Sequence, residues 1–134
     1  MMILITGAGP SAYFLCRELL ALGHDVTLIA RNRDNCERIA ARLKAIVLHG
    51  DATERSMLEE ARARSADALL AATPKDHDNL VACQLARMDF EVPRTVACVN
   101  DPDNVAVFAK LGVQAVCWSS GVTGLMQMED QRSC

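Results

Sequence analysis

The residues of most chemical consequence in this chain are small ones. Ile3-Leu4-Ile5-Thr6 is a run of strand length, and it leads directly into Gly7-Ala8-Gly9-Pro10-Ser11-Ala12. Gly7 permits a tight turn out of a strand. Gly9 has no Cβ, so an anion can come close to the backbone. Ala12 lets a following helix pack near a sheet. A helix that opens here aims free N–H groups and the positive end of its dipole at the occupant of the turn. This is the G-x-G-x-x-A form of the strand–turn–helix that holds the diphosphate of a dinucleotide. Glycine turns also close ordinary βα units, so the motif alone leaves both readings open. Gly7, Ala8, Gly9, Pro10 and Ser11 are the candidate phosphate-binding residues.

Other reactive side chains form no recognisable constellation. His24, His49 and His77 are widely spaced and set no metal-ligand pattern, so no metal site is expected. No serine lies in a nucleophile-elbow pattern. The sole tyrosine, Tyr13, is followed four residues later by Arg17 rather than by a lysine. Six cysteines carry no C-x-x-C spacing; Cys16, Cys36, Cys83, Cys98 and Cys117 fall in apolar patterns and read as buried, reduced thiols. No catalytic residue is assigned.

Composition narrows the class. At 134 residues, 51% hydrophobic and 23% charged, the chain has the make-up of one soluble globular domain. A net charge of −3 and only one Trp, one Tyr and three Phe argue against a nucleic-acid partner. No apolar run approaches the length of a membrane span, and no signal-type segment opens the chain, so the expectation is a cytoplasmic protein without direct membrane insertion.

The elements that must position the glycine turn follow in order. Leu15, Leu19 and Leu22 mark one face of a first helix, ended by Gly23. Val26–Ile29 is a second strand, and Cys36, Ile39, Ala40 and Leu43 mark a helix that Asn32 or Asp34 could cap. Ile46–Leu48 is a third strand, followed by a short helix over Ser56–Ala61 that Asp51 or Thr53 could cap. Ala68–Ala72 is a fourth strand; Asp76 or Asp78 opens the next helix. Thr95–Val99, a helix ended by Gly112, and Val113–Trp118 complete six βα-type repeats. Apolar strands alternating with helices specify a parallel sheet covered on both faces. The fold class is α/β: a doubly wound, parallel six-stranded sheet in the order 3-2-1-4-5-6. The turns at 7–12, 30–33, 50–53 and 72–74 would then meet at the carboxyl edge where strand direction switches.

Together these residues resemble a known family. They are Gly7-Ala8-Gly9, Gly23-His24-Asp25-Val26-Thr27-Leu28-Ile29, Gly50-Asp51-Ala52-Thr53, Ala71-Ala72-Thr73, Asn79-Leu80-Val81-Ala82-Cys83, Val99-Asn100-Asp101-Pro102 and Lys110-Leu111-Gly112-Val113. The set is similar to the Trk-type N-terminal, or RCK, regulatory domain of potassium uptake systems and channels, a Rossmann domain, over roughly residues 1 to 120. The resemblance implies a domain that binds NAD(H), NADP(H), ATP, ADP or AMP and changes shape rather than catalysing. It implies phosphates at Gly7, Gly9 and Ser11, and the adenosine ribose at the end of strand 2. It puts Asp51, Ala52 and Thr53 beside adenine, Ala72, Thr73 and Pro74 along the crevice, and Asn100 on the nicotinamide or outer-phosphate side.

Two positions depart from the family pattern. Ala30 stands where an acidic residue usually meets the ribose, and Pro10 where an arginine often follows the second glycine. Arg31, Asn32 and Arg33 come next, and the two arginines could instead meet a 2′-phosphate or simply be solvated. NADP(H) is therefore expected to bind at least as well as NAD(H). The resemblance also implies partners: a membrane cation transporter or channel at the inner face of the membrane, and a second copy of the chain. Residues 121–134 carry Val122, Leu125, Met126 and Met128 and read as a crossover helix that docks on a neighbour, or as a tail. A small NADP-dependent oxidoreductase and a Rossmann domain that no longer binds nucleotide are the alternatives.

Overall fold

A computed structural model describes residues 1–117. The segment 121–134, with the dimer element expected on it, lies outside the described residues. Six strands alternate with helices: β1 (Met2–Thr6), α1 (Pro10–Ala21), β2 (Asp25–Ala30), α2 (Arg33–Arg42), β3 (Ile46–His49), α3 (Arg55–Glu60), β4 (Ala68–Ala71), α4 (Asp76–Phe90), β5 (Arg94–Val99), α5 (Asn104–Lys110) and β6 (Gln114–Cys117). A 3-10 turn over Ala63–Ser65 precedes β4. The sheet is wholly parallel in the order β3-β2-β1-β4-β5-β6. That is the order and class expected from the sequence.

The central strands β1, β2 and β4 are buried on both faces because helices cover both. On one face Ile3, Ile5, Val26 and Leu28 pack with Ala12 and Cys16 of α1 and Cys36 and Ile39 of α2. On the other, Leu4, Ile29 and Leu69 pack with Leu58, Ala82, Cys83 and Ala86 of α3 and α4, and with Phe90. Fully burying a side chain of this size contributes about 1.5–3 kcal/mol. These two layers therefore hold the turns at the sheet's carboxyl edge against each other.

Two local readings need correction. The core face of α1 is Ala12 and Cys16, both fully buried, rather than Leu15, Leu19 and Leu22. Small residues let the helix sit close to β1 and β2; Leu15 and Leu19 flank the contact, and Leu22 lies past the helix end, exposed. Neither Asp51 nor Thr53 caps α3, whose N-cap is Glu54 and bears no side-chain bond. Asp76 opens α4 as expected, with Lys75 at the N-cap, and its carboxylate bonds to the loop after β5. Asn32 caps α2 as expected, accepting from the Asn35 amide at 2.9 Å.

Candidate functional site

β1 lies between β2 and β4, so the connections leave it in opposite directions and open a crevice at its carboxyl end. The register aligns the strand ends there: Thr6 pairs with Ile29 and with Ala71, and Ala30 with His49. The Gly7 amide donates to the Ile29 carbonyl at 2.9 Å, and the Ala72 amide to the Thr6 carbonyl at 2.9 Å. These bonds fix three of the turns to one another.

The two glycines of the turn differ. Gly7 has φ +116°, and a Cβ there would sit 2.6 Å from the Ala72 carbonyl oxygen, so the fold itself demands glycine. Gly9 has φ −77°, which any residue adopts, and a Cβ would meet nothing within 4 Å. The fold does not need glycine at Gly9; the open space beside it is what the glycine preserves. Gly9 is the N-cap of α1, and it supplies no side-chain cap. The first turn of α1 also has no acidic residue, whereas α2 has Asn32 and Asp34 and α4 has Asp76 and Asp78. The positive end of α1 is thus left without a compensating group of its own.

The crevice has two parts. The larger is a cavity of about 280 Å³. Of the sequence candidates, Gly7, Ala8, Ala30, Arg31 and Asn32 line it, as do Asp51, Ala52, Thr53, Thr73 and Pro74. The smaller, about 130 Å³, is lined by Gly9, Pro10, Ser11, Ala72 and Asn100, and shares the Thr73–Pro74 wall with the first. Arg33 lines neither and is the exposed first residue of α2. Sequence reasoning missed Thr6, Ile29, Asn35, Lys75, Asp78 and Ala82, which also line the larger cavity with Gly50 of the expected 50–53 turn, and Cys98 in the smaller. Asp78 had a readable signal, since the topology carries the first turn of α4 to the crevice.

Polar side chains hold the walls rigid. Asp51 accepts from the Thr53 amide (2.9 Å) and hydroxyl (2.6 Å) and from Arg31 Nη2 (2.7 Å). Burial pushes its carboxyl up, but the bonds from Thr53 and Arg31 outweigh that and hold it below the ordinary carboxylate value. The same Arg31 nitrogen lies 3.4 Å from Asp78. Arg31 thus already serves two carboxylates, and Arg33 stands off the crevice. His49 donates from Nε2 to the Arg31 carbonyl at 2.7 Å, which steadies that turn.

On the opposite wall, the fully buried Asn79 accepts from the Thr73 amide (3.0 Å) and hydroxyl (2.7 Å). Its Nδ2 donates to the carbonyls of Thr73 (3.0 Å) and Cys98 (2.7 Å), fastening the β4–α4 turn to β5. Asn100 donates from Nδ2 to the Pro74 carbonyl and to Asp76, so its donors are committed and its side-chain oxygen remains to accept. Thr6, 2% exposed, has a hydroxyl with no partner, the one such buried side-chain group among the described residues.

Among the described residues no group of His, Cys, Asp and Glu could hold a metal ion. No helix among them is long and apolar enough to cross a membrane.

The TrkA-N domain model matches residues 3–119. This chain belongs to the TrkA-N domain family. A Trk system potassium uptake protein TrkA homolog from Methanothermobacter thermautotrophicus is 38% identical over 116 residues, covering 87% of this chain and 53% of the relative. The chain spans about half the length of the curated relatives it matches. The TrkA-N domain of the Escherichia coli inner membrane protein ybaL shares the fold, with TM-score 0.85 at 20% identity over 95% of this chain and 94% of that one. The GsuK channel bound to NAD matches with TM-score 0.75 at 26% identity, covering 86% of this TrkA-N chain and 21% of the channel.

Proposed function

We propose that this TrkA-N chain is a nucleotide-sensing regulatory domain that controls a potassium uptake system or a related cation transporter or channel. Its ligand is a nicotinamide dinucleotide or an adenine mononucleotide, with the phosphates at Gly9, Pro10 and Ser11 and the adenosine half in the larger cavity. The observation that carries this reading is Gly9: an extended glycine with open space beside it, at the uncapped positive end of α1. Phosphate is the ligand chemistry that such a terminus takes. The names of the relatives supply the transport context, and a solved neighbour is bound to NAD.

Regulation rather than catalysis fits the described residues. The polar side chains of the crevice walls are bonded to one another, the Thr53 hydroxyl to Asp51 and the Thr73 hydroxyl to Asn79. The chain acts on its membrane partner as a homo-oligomer; exposed Val107 of α5, Leu111 at its C-cap and Val116 of the edge strand β6 offer apolar surface for such a contact.

The test is a panel of NADH, NADPH, ATP, ADP and AMP followed by thermal unfolding and calorimetric titration. A ligand at 100 times its dissociation constant stabilises the fold by about 2.7 kcal/mol. At least one nucleotide is expected to do so; a panel in which none raises the melting temperature overturns the reading.

A further inference from the structure

Ala30 leaves the end of β2 without the carboxylate that holds a ribose diol in dinucleotide-binding sheets. The structure brings another carboxylate to the same place from a different element. Asp78, in the first turn of α4, lines the larger cavity together with Ala30 and Arg31. Its side chain is 18% exposed, and Arg31 Nη2 at 3.4 Å and His77 Nε2 at 3.4 Å are its ion-pair neighbours. Asp51 spends one oxygen on the two Thr53 bonds and the other on Arg31. The Asp78 carboxylate accepts no hydrogen bond of normal geometry from a described residue, so it keeps the acceptor capacity that a diol requires.

We propose that Asp78 is the ribose-reading residue of this crevice and that it selects adenine nucleotides with a free 2′-hydroxyl over 2′-phosphorylated ones. The proposal rests on the nucleotide-sensing reading above. A 2′-hydroxyl donates to Asp78 in a charge-assisted bond. A 2′-phosphate at the same point meets two carboxylates served by one shared guanidinium, and a phosphate that recruits Arg31 must take it from Asp51 and Asp78. This selection runs opposite to what Arg31 and Arg33 suggest from sequence alone. NADH, ADP and AMP belong to the accepted class, and NADPH to the rejected one.

The experiment titrates wild type, Asp78→Asn and Asp78→Ser with ADP, 2′-deoxy-ADP, NADH and NADPH, with thermal unfolding as the check that each variant is folded. Wild type is expected to bind ADP about tenfold more tightly than 2′-deoxy-ADP, the worth of one charge-assisted hydrogen bond. In Asp78→Asn and Asp78→Ser that ratio is expected to fall toward one, and NADPH to gain at least about tenfold relative to NADH. A merely structural role for Asp78 would weaken all four ligands alike. An unchanged ADP to 2′-deoxy-ADP ratio in both variants overturns the proposal, as does wild type binding NADPH as tightly as NADH. Either result leaves nucleotide sensing intact, whereas wild type binding none of the four removes that reading too.

Discussion

Replacing Gly9 with aspartate should stabilise the fold and abolish ligand binding at the same time. The backbone at Gly9 is extended at φ −77°, and a Cβ there meets no atom within 4 Å, so the substitution brings neither strain nor clash. Aspartate is a preferred N-cap and is worth a few tenths of a kcal/mol over glycine. Its charge at the positive end of α1 adds about 0.3–1 kcal/mol, and the loss of glycine's freedom in the unfolded chain about 0.4–1 kcal/mol. Together these amount to about 1–2 kcal/mol, a rise of about 3–10 °C in melting temperature for a domain of this size. The same carboxylate then competes for the amides that a phosphate would use. Repulsion at about 4 Å in a surface dielectric is up to about 4 kcal/mol per charge, and each lost charged hydrogen bond costs about 1.5–3 kcal/mol. Even with half of the repulsion screened, affinity should fall by at least about 100-fold. Thermal unfolding and calorimetric titration measure the two effects, with Gly9→Ala as the uncharged control. A Gly9→Asp protein that is more stable and binds nucleotide as tightly as wild type would refute the assignment of phosphate to α1.

Gly7→Ala forces a side chain into φ +116° and against the Ala72 carbonyl, and denaturant unfolding should show a loss of about 2–4 kcal/mol. Thr6→Val removes the buried hydroxyl that has no partner, and the same measurement should show a gain of about 1 kcal/mol. Asp76 accepts from the Asn100 and Asp101 amides and from the Asn100 and Asn104 side chains; burial pushes its carboxyl up, but these bonds hold it below the ordinary value. Its contribution is therefore complete above the unfolded carboxylate pKa near ~3.9 and is lost as pH falls through the lower folded value. Asp76→Ala should flatten the pH dependence of stability below about pH 4, followed by urea melts on the acid side.

What was legible in the sequence is what local pattern determines. Uninterrupted apolar strands and the alternation with helices gave the sheet, and handedness and switch-point rules gave its order without any knowledge of contacts. The glycine turn and the tetrapeptide Gly50–Thr53 were visible because their chemistry lies in consecutive residues. What stayed hidden depends on register between distant elements. Arg31 and Asp51 are separated by 20 positions and Asp76 and Asn100 by 24, and no spacing rule pairs them. The pairing of Arg31 with two carboxylates was therefore not visible in the sequence. Asn79 entered only within the resemblance motif Asn79–Cys83, and its role as fastener of the β4–α4 turn to β5, through burial and four bonds, had no sequence signal. The left-handed residues Arg62 and Glu91, at φ 59° and 54°, end α3 and α4 where glycine is the usual signal, and their side chains give none.

The central claim is that an adenine nucleotide occupies this crevice with its phosphates at the start of α1. A crystal structure of the chain grown with NADH tests it most directly. The expected density places the diphosphate over Gly9, Pro10 and Ser11 and the adenosine in the larger cavity between Ile29, Asp51 and Ala82. Nucleotide bound elsewhere on the chain, with the crevice holding only water at saturating NADH, would contradict it.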